Sequence, residues 1–113
     1  MLDMNPTIVS KLNEIGLKVY LEDFLDSQSD IPCISYREYS NVADREGDTI
    51  GYSQITYHVK VWAKNMKDLA GYASQVDNKM RELGFKRTTA NDLWYDGIGQ
   101  RDMKFTNLAK EEF

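Results

Sequence analysis

The residues best suited to chemistry are few in this sequence. His58 is the only histidine and Cys33 the only cysteine among the 113 residues. Nucleophilic catalysis needs a nucleophile beside a base that a third group orients, and the sequence identifies no such third group. Both residues fall in predicted β-strands, where each could face either side of a sheet. We interpret His58 as a residue of a wet sheet face and Cys33 as a small apolar residue.

Metal-ligand patterns are weak as well. A zinc site takes about four Cys or His ligands, and this chain has two such residues. The alternating acids Asp44, Glu46 and Asp48 resemble the start of a calcium loop, but the glycine and the distal glutamate of that loop are absent. We therefore predict a solvated loop here, with no metal and no cofactor. A hydrolase using a pair of carboxylates is compatible with the sequence, although no pair is favoured.

Composition narrows the possible functions. Asp and Glu number 18 against 14 Lys and Arg, so the net charge is −4 and the sequence pI is about 4.9. Binding to nucleic-acid phosphates normally needs a basic surface, so direct sequence-specific nucleic-acid binding is not expected. No apolar run approaches the roughly 20 residues that cross a bilayer, and the first residues lack the features of a signal peptide. We expect an intracellular protein without a membrane partner.

The first half of the chain predicts a helix, a strand and a loop. Ile8, Leu12 and Ile15 recur at helical spacing, and Gly16 follows where a helix can end. Residues 17–24 fit either helix or edge strand, and we favour extended chain because Val and Tyr suit a pleated surface. Residues 31–40 alternate as a strand. The polar residues 41–51 predict a long hairpin loop.

The second half carries the clearest patterns. A strand with one dry and one wet face is predicted by the alternating apolar residues Ile55, Tyr57, Val59, Val61 and Ala63. Asn65 can cap the next helix, whose apolar stripe is Met66, Leu69, Ala73, Val76, Met80 and Leu83, with Gly84 at its end. Residues 85–95 and 101–108 predict a second hairpin around Asp96-Gly97.

These elements predict one α+β domain spanning residues 1–113. Its sheet is antiparallel with about four strands, and two helices pack on one face. A chain of this length can bury one modest core, and the other sheet face stays without helices. The fold class alone implies no function.

Several aromatic residues fall on sheet positions that should be wet. Trp62 and His58 lie opposite the dry row of their strand, and Tyr52 flanks the long loop. Trp94 and Tyr95 are adjacent, so one of them must point away from the core. Exposed aromatic residues on a sheet face predict a protein partner or self-association, unless the N-terminal strand or a loop covers them.

The order of these segments resembles a known family. After an opening helix, the framework segments are IPCISYREY (residues 31–39), YHVKVWAK (57–64) and LGFKR (83–87), the last closing an amphipathic helix before a final hairpin. This arrangement resembles the tail-completion and tail-terminator proteins, the head–tail joining proteins of long-tailed bacteriophages and prophages. The similarity covers nearly the whole chain, and its motifs are apolar and aromatic framework residues.

The resemblance implies a non-catalytic structural role. Members of this family cap the growing tail tube and join it to the head connector as a ring, commonly a hexamer. The resemblance therefore implies a homo-oligomer in the virion, assembled in the host cytoplasm, with tail-tube and head-connector proteins as partners. The loop Val42–Gly51 is similar to the family's mobile element that reaches the tube or a neighbour. No signature residue of the family is identified in this chain.

Ring interfaces join two different patches of neighbouring subunits. The wet-face residues Tyr52, His58 and Trp62 are candidates for one side of such a contact. The acidic loop with Asp44, Glu46 and Asp48, and the basic pair Lys86 and Arg87, could add charge complementarity. Alternatives are a small α+β protein-binding module, another minor virion joining protein, or a carboxylate-dependent hydrolase.

Overall fold

A computed structural model describes residues 4–21, 31–44 and 52–110 of the chain. Within these residues there are two helices, α1 (Asn5–Asn13) and α2 (Met66–Glu82), and five strands: β1 (Lys18–Leu21), β2 (Cys33–Asp44), β3 (Tyr52–Ala63), β4 (Lys86–Tyr95) and β5 (Ile98–Lys110). The strands form one sheet in the order β1-β2-β3-β5-β4. The fold is α+β, as the sequence predicts.

The sheet corrects the predicted one in two respects. The described residues form five strands rather than about four, and the sheet is mixed rather than antiparallel. β1 lies in the segment for which the sequence favours extended chain, and it pairs in parallel with β2, Lys18 beside Cys33. A four-residue strand carries too little pattern to reveal its partner. Eleven residues, 22–32, separate the two strands in the sequence, close to the dozen that a connection between parallel strands needs.

β2 is longer than the sequence predicts, whereas β3 begins at Tyr52, directly after the predicted loop. β2 continues past residue 40 to Asp44, and Asp44 lies opposite Tyr52, the first residue of β3. Residues 41–44 of the predicted loop are therefore strand, while residues 45–51 lie outside the described residues. β3 pairs with β2 on one side and β5 on the other, so its backbone hydrogen bonds continue where the apolar pattern has stopped.

The second hairpin confirms its predicted turn. Asp96 and Gly97, which join β4 to β5, have φ angles of 53° and 75°. Positive φ at both central residues is typical of the two-residue type I′ turn, whose twist matches that of the strands. β5 begins at Ile98, three residues earlier than predicted, and runs to Lys110.

Helix α2 follows its predicted bounds closely. The Asn65 Oδ1 atom accepts a hydrogen bond from the Asp68 backbone N–H at 2.8 Å, which caps the helix start. Gly84 follows the helix with a φ angle of 89°, a conformation that glycine adopts without steric cost. The predicted apolar stripe is buried at Leu69, Ala73, Val76 and Met80, whereas Met66 is half exposed.

Both helices pack on the same face of the sheet and close one core. Ile8 and Leu12 of α1 are fully buried, as their spacing predicts. The Tyr57 hydroxyl donates a hydrogen bond to Asn5 Oδ1, and its ring meets Phe85 edge-on at 5.8 Å. The core cluster is completed by Ile34, Ile55, Val59, Val61, Ala63, Leu69, Ala73, Val76, Met80, Met103 and Phe105.

Charged side chains join the two helices at the surface. Lys11 Nζ of α1 lies 2.9 Å from Glu82 Oε2 of α2, and Lys79 Nζ lies 3.3 Å from Glu14 Oε1. The hydrogen bond from Lys11 lowers the pKa of Glu82, and the same contact raises the pKa of Lys11. Neither helix of the described segments is long and apolar enough to cross a membrane.

Candidate partner-binding surfaces

The sheet side opposite the helices carries mainly polar residues, and we call it the polar face. Residues directly opposite one another on paired strands share a face, so the strand register defines its members. They are Cys33, Ser35, Arg37, Thr56, His58, Lys60, Trp62, Gln100, Asp102, Lys104 and Thr106. The predicted alternation along β3 is confirmed, because Tyr57, Val59 and Val61 are fully buried on the other side.

Trp62 lies on the polar face opposite Cys33, the first residue of β2. Its Nε1–H donates a hydrogen bond to Ser35 Oγ at 3.0 Å. Ser35 and Cys33 are buried, and Trp62 itself is only partly exposed. The indole thus makes a structural hydrogen bond within its own sheet. Its predicted role in subunit contact stays a prediction.

His58 lies at the centre of the polar face, beside β5. Its Nε2 atom is 4.0 Å from Asp102 Oδ2, close enough for an ion pair when the imidazole is protonated. Gln100 Nε2 donates a hydrogen bond to the other oxygen of the same carboxylate. The side chain of His58 is 15% exposed. His58, Asp102 and Gln100 thus form a connected polar cluster on this face.

The two residues with nucleophile or base chemistry are on the same face but apart. Cys33 lies opposite Trp62, four residues along β3 from His58, so about 13 Å of strand separates their rows. Cys33 is also fully buried. A thiol and an imidazole at that separation do not form a nucleophile–base pair. Among the described residues no group of three or more potential ligands is placed to hold a metal ion.

Further pairs cross the polar face between strands. Lys104 Nζ lies 4.3 Å from the ring centroid of Tyr39, a cation–π contact at the surface. The hydroxyls of Thr56 and Thr106 are 3.0 Å apart and share a hydrogen bond. Tyr39 is 54% exposed despite this contact. The polar face is therefore a set of cross-strand pairs with one accessible aromatic ring near the far end of β2.

The predicted charged contacts fall at one end of the sheet. Asp44 and Tyr52 end the paired part of the β2–β3 hairpin, whereas Glu46 and Asp48 lie outside the described residues. Lys86 and Arg87 are exposed at the start of β4, opposite Thr106 and Phe105 of β5. Since Tyr52 lies opposite Lys110, the hairpin extends four residues of β5 beyond the start of β4.

This extension is a feature that the sequence reading missed. It consists of three paired strand ends, residues 42–44, 52–54 and 108–110, and we call it the distal arm. The molecule measures 53 × 21 × 21 Å, which reflects strands running well past the helix-covered core. The polar composition of residues 41–51 favoured a loop, and pairing on both sides of β3 overrides that preference.

The other feature missed is the edge strand β4. All ten of its residues are exposed, including Leu93 (57%), Trp94 (44%) and Tyr95 (86%). The sequence predicts that one of Trp94 and Tyr95 points away from the core, and the structure exposes both. Their exposure could not be predicted, because no local sequence pattern marks β4 as an edge strand.

The Trp94 indole lies close to the neighbouring strand at Gly99. It pairs with Gly99, and a Cβ atom built at Gly99 would come within 2.5 Å of the Trp94 ring. Only glycine leaves room for that contact. The indole is thereby held in position with its outer side exposed.

Asp92, the acidic residue of β4, is paired with Arg101 on β5, the other strand of the same hairpin. Arg101 donates to both oxygens of Asp92, from Nε at 2.7 Å and from a terminal nitrogen at 3.0 Å. This two-pronged hydrogen bond lowers the pKa of Asp92 and raises that of Arg101. The strand therefore presents no free acid in its middle.

Comparison with known proteins adds no relationship. The chain matches no protein-family model, and no curated protein sequence is significantly similar to it.

Proposed function

We propose that this protein is a non-catalytic joining component of a bacteriophage or prophage tail, which caps the tail tube and links it to the head connector as a ring. The proposal starts from the resemblance of residues 31–39, 57–64 and 83–87 to the tail-terminator family. The observation that carries it is the distal arm, which projects beyond the helix-covered core and reaches further than a single small core requires. A projecting element of this kind suits contact with a neighbouring subunit.

A closed ring needs two different patches that fit one another. The distal arm provides one patch; Asp44 and Tyr52 are the last paired residues of β2 and β3, and Glu46 and Asp48 lie between them in the sequence. The polar face provides the other, with His58 and Trp62 partly accessible. The arm of each subunit would then lie on the polar face of the next. The family it resembles commonly forms hexamers.

Charge gives this contact a direction. The segment between β2 and β3 contains Asp44, Glu46 and Asp48, while Lys86 and Arg87 are exposed on β4. Opposite charges on different patches of neighbouring subunits favour one register and speed encounter more than they raise affinity. Assembly driven by these charges would weaken as the salt concentration rises.

The ring can be tested with Trp62→Ala and its matched control, Trp62→Phe. We expect the wild-type protein to form an assembly of several subunits by light scattering, alone or on purified tail tubes. Trp62→Ala should reduce assembly while the monomer stays folded, whereas Trp62→Phe keeps an aromatic ring at the contact and should preserve it. Unchanged assembly of Trp62→Ala together with a collapsed melting temperature would show that Trp62 serves the fold and not the contact.

A second test concerns the acidic segment. Deleting Asp44–Asp48 removes the last paired residue of β2 and the four residues that follow it in the sequence, and it leaves every residue of the described core in place. The monomer should keep its melting temperature within a few degrees, while joining of tails to heads should fail. Normal infectious particles made with the deleted protein would contradict a role for this segment in joining.

A further inference from the structure

Strand β4 combines an unprotected edge with an unusual sequence of side chains. It is the last strand of the sheet in the order β1-β2-β3-β5-β4, so one side of its backbone has no strand neighbour among the described residues. Sheet edges are normally guarded by charges that repel another strand. In β4 the central acid, Asp92, is bound to Arg101, and the other charges are confined to its first two residues. The edge from Thr89 to Tyr95 therefore carries no free charge that would oppose pairing with another strand.

The two ends of β4 are chemically complementary. The strand begins with Lys86 and Arg87 and ends with Trp94 and Tyr95. In an antiparallel pair of two β4 strands, the basic end of one copy meets the aromatic end of the other twice. Lysine and arginine bind the faces of aromatic rings, so each such meeting is attractive.

Each basic residue of β4 also lies on the same face of the sheet as the aromatic residue that it would meet. Lys86 and Tyr95 lie opposite Thr106 and Ile98, on the polar-face side of the sheet. Arg87 and Trp94 lie opposite Phe105 and Gly99, on the helix side. The register shift between Arg87 and Thr89 changes the alternation at that point, which is what brings both pairs to matching faces.

One register satisfies all these conditions. When Asn91 lies opposite Asn91 of the second copy, Leu93 lies opposite Thr89, and Trp94 lies opposite Arg87 after the shift at Thr88. Tyr95 then lies opposite Lys86. Moving the centre by two residues in either direction leaves the basic or the aromatic residues without their partners. Asn91 at the centre places two side-chain amides where they can hydrogen-bond one another.

We propose that β4 pairs antiparallel with β4 of a second copy of this chain, in the register centred on Asn91. The two sheets become one continuous sheet of ten described strands, with the helices of both copies on the same side. The pairing uses the same patch on both copies, so it closes as a two-fold dimer and does not propagate. It shares Lys86 and Arg87 with the charge contact of the proposed ring, whereas Trp94, Tyr95 and the backbone edge of β4 take no part in that ring.

The register can be tested by disulfide trapping. Asn91→Cys places two thiols opposite one another across the two-fold axis, at the separation of directly paired residues, which a disulfide can bridge. Thr89→Cys is the matched control, because it lies opposite Leu93 and is about 14 Å from its own copy. Both positions are exposed, and the native Cys33 is buried. Under mild oxidation we expect a covalent dimer of Asn91→Cys and a monomer of Thr89→Cys.

Charge substitution at Tyr95 tests the same register without a covalent trap. Tyr95→Lys places a lysine opposite Lys86 twice in each dimer and should weaken dimerisation at least ~10-fold in sedimentation experiments, because like charges directly opposite are unfavourable. Tyr95→Glu places a carboxylate opposite Lys86 and should retain the dimer. Tyr95 is 86% exposed, so both variants should keep the melting temperature of the wild type.

Three results would overturn the pairing: a wild-type monomer at 100 μM or more, equal trapping of Asn91→Cys and Thr89→Cys, or equal effects of Tyr95→Lys and Tyr95→Glu. A dimer at twice the 13.1 kDa chain mass that never forms larger assemblies would support the pairing while contradicting the ring. Larger assemblies whose formation is unaffected by Tyr95→Lys and Tyr95→Glu would support the ring while contradicting the pairing.

Discussion

At the scale of single residues, the pair Asp92–Arg101 shows how an exposed strand is held. The guanidinium engages both carboxylate oxygens, and the two side chains are 30% and 24% exposed. A pair of this geometry stabilises more than an ordinary surface ion pair, although solvent still screens it. It ties β4 to β5 where the core beneath them ends.

Replacing Asp92 by Asn should therefore lower the free energy of unfolding by about 0.5–1 kcal/mol at pH 7. The pKa of Asp92 is lowered in the folded protein, so its contribution is present above the ordinary aspartate value. The contribution is lost as the pH falls through the lowered value, where the wild-type carboxyl also becomes protonated. Urea titrations at pH 7 and at an acid pH below the lowered pKa measure the free energy of unfolding with the carboxylate charged and with it protonated.

The matched control is Asp96→Asn, which keeps a residue suited to positive φ in the turn and leaves Asp92 and Arg101 in place. This variant should be close to the wild type at both pH values. If Asp92→Asn lowers the free energy of unfolding by the same amount at the acid pH as at pH 7, the loss comes from packing and not from charge.

Gly99→Ala tests whether the close contact between Trp94 and Gly99 stabilises the protein. The added Cβ would lie 2.5 Å from the indole, so the ring must move off the strand. We expect a loss of roughly 1 kcal/mol in stability, since Trp94 is half exposed and has room to move. The fluorescence emission should shift to the red as the indole enters water. An unshifted spectrum and unchanged stability would show that the ring adjusts at no cost.

At the scale of elements, α2 and β3 could be predicted because each carries its own pattern. The apolar stripe of α2 and the alternation of β3 recur often enough to fix period and face. β1 could not be placed, since four residues do not specify a parallel partner. The end of β2 was missed because pairing with β3, and not apolar side chains, extends it. The exposure of β4 depends on strand order, which no local pattern contains.

The start of α2 offers a direct element-scale test. Asn65→Ala removes the oxygen that accepts the Asp68 N–H and should cost about 1 kcal/mol of stability. Asn65→Ser keeps a capping oxygen and should restore most of the loss. Thermal or urea unfolding of the three proteins provides the comparison. Equal stability of Asn65→Ala and Asn65→Ser would indicate that the side chain does not act as a cap.

At the scale of the whole molecule, shape and surface suggest a part that works by contact. The core cluster lies on the side of the sheet under the two helices, Cys33 and Ser35 are buried on the other side, and every residue of β4 is exposed. Of the candidate site, the sequence predicted the shared face of His58 and Trp62. It did not predict that Trp62 would also bond Ser35, because that contact depends on which strands become neighbours.

The most direct measurement is an electron micrograph of particles assembled without this protein. If the protein caps and joins tails, removing it should yield overlong tails, or tails separated from filled heads, and supplying it again should restore joined particles. Tails of normal length attached to heads in its absence would contradict the account.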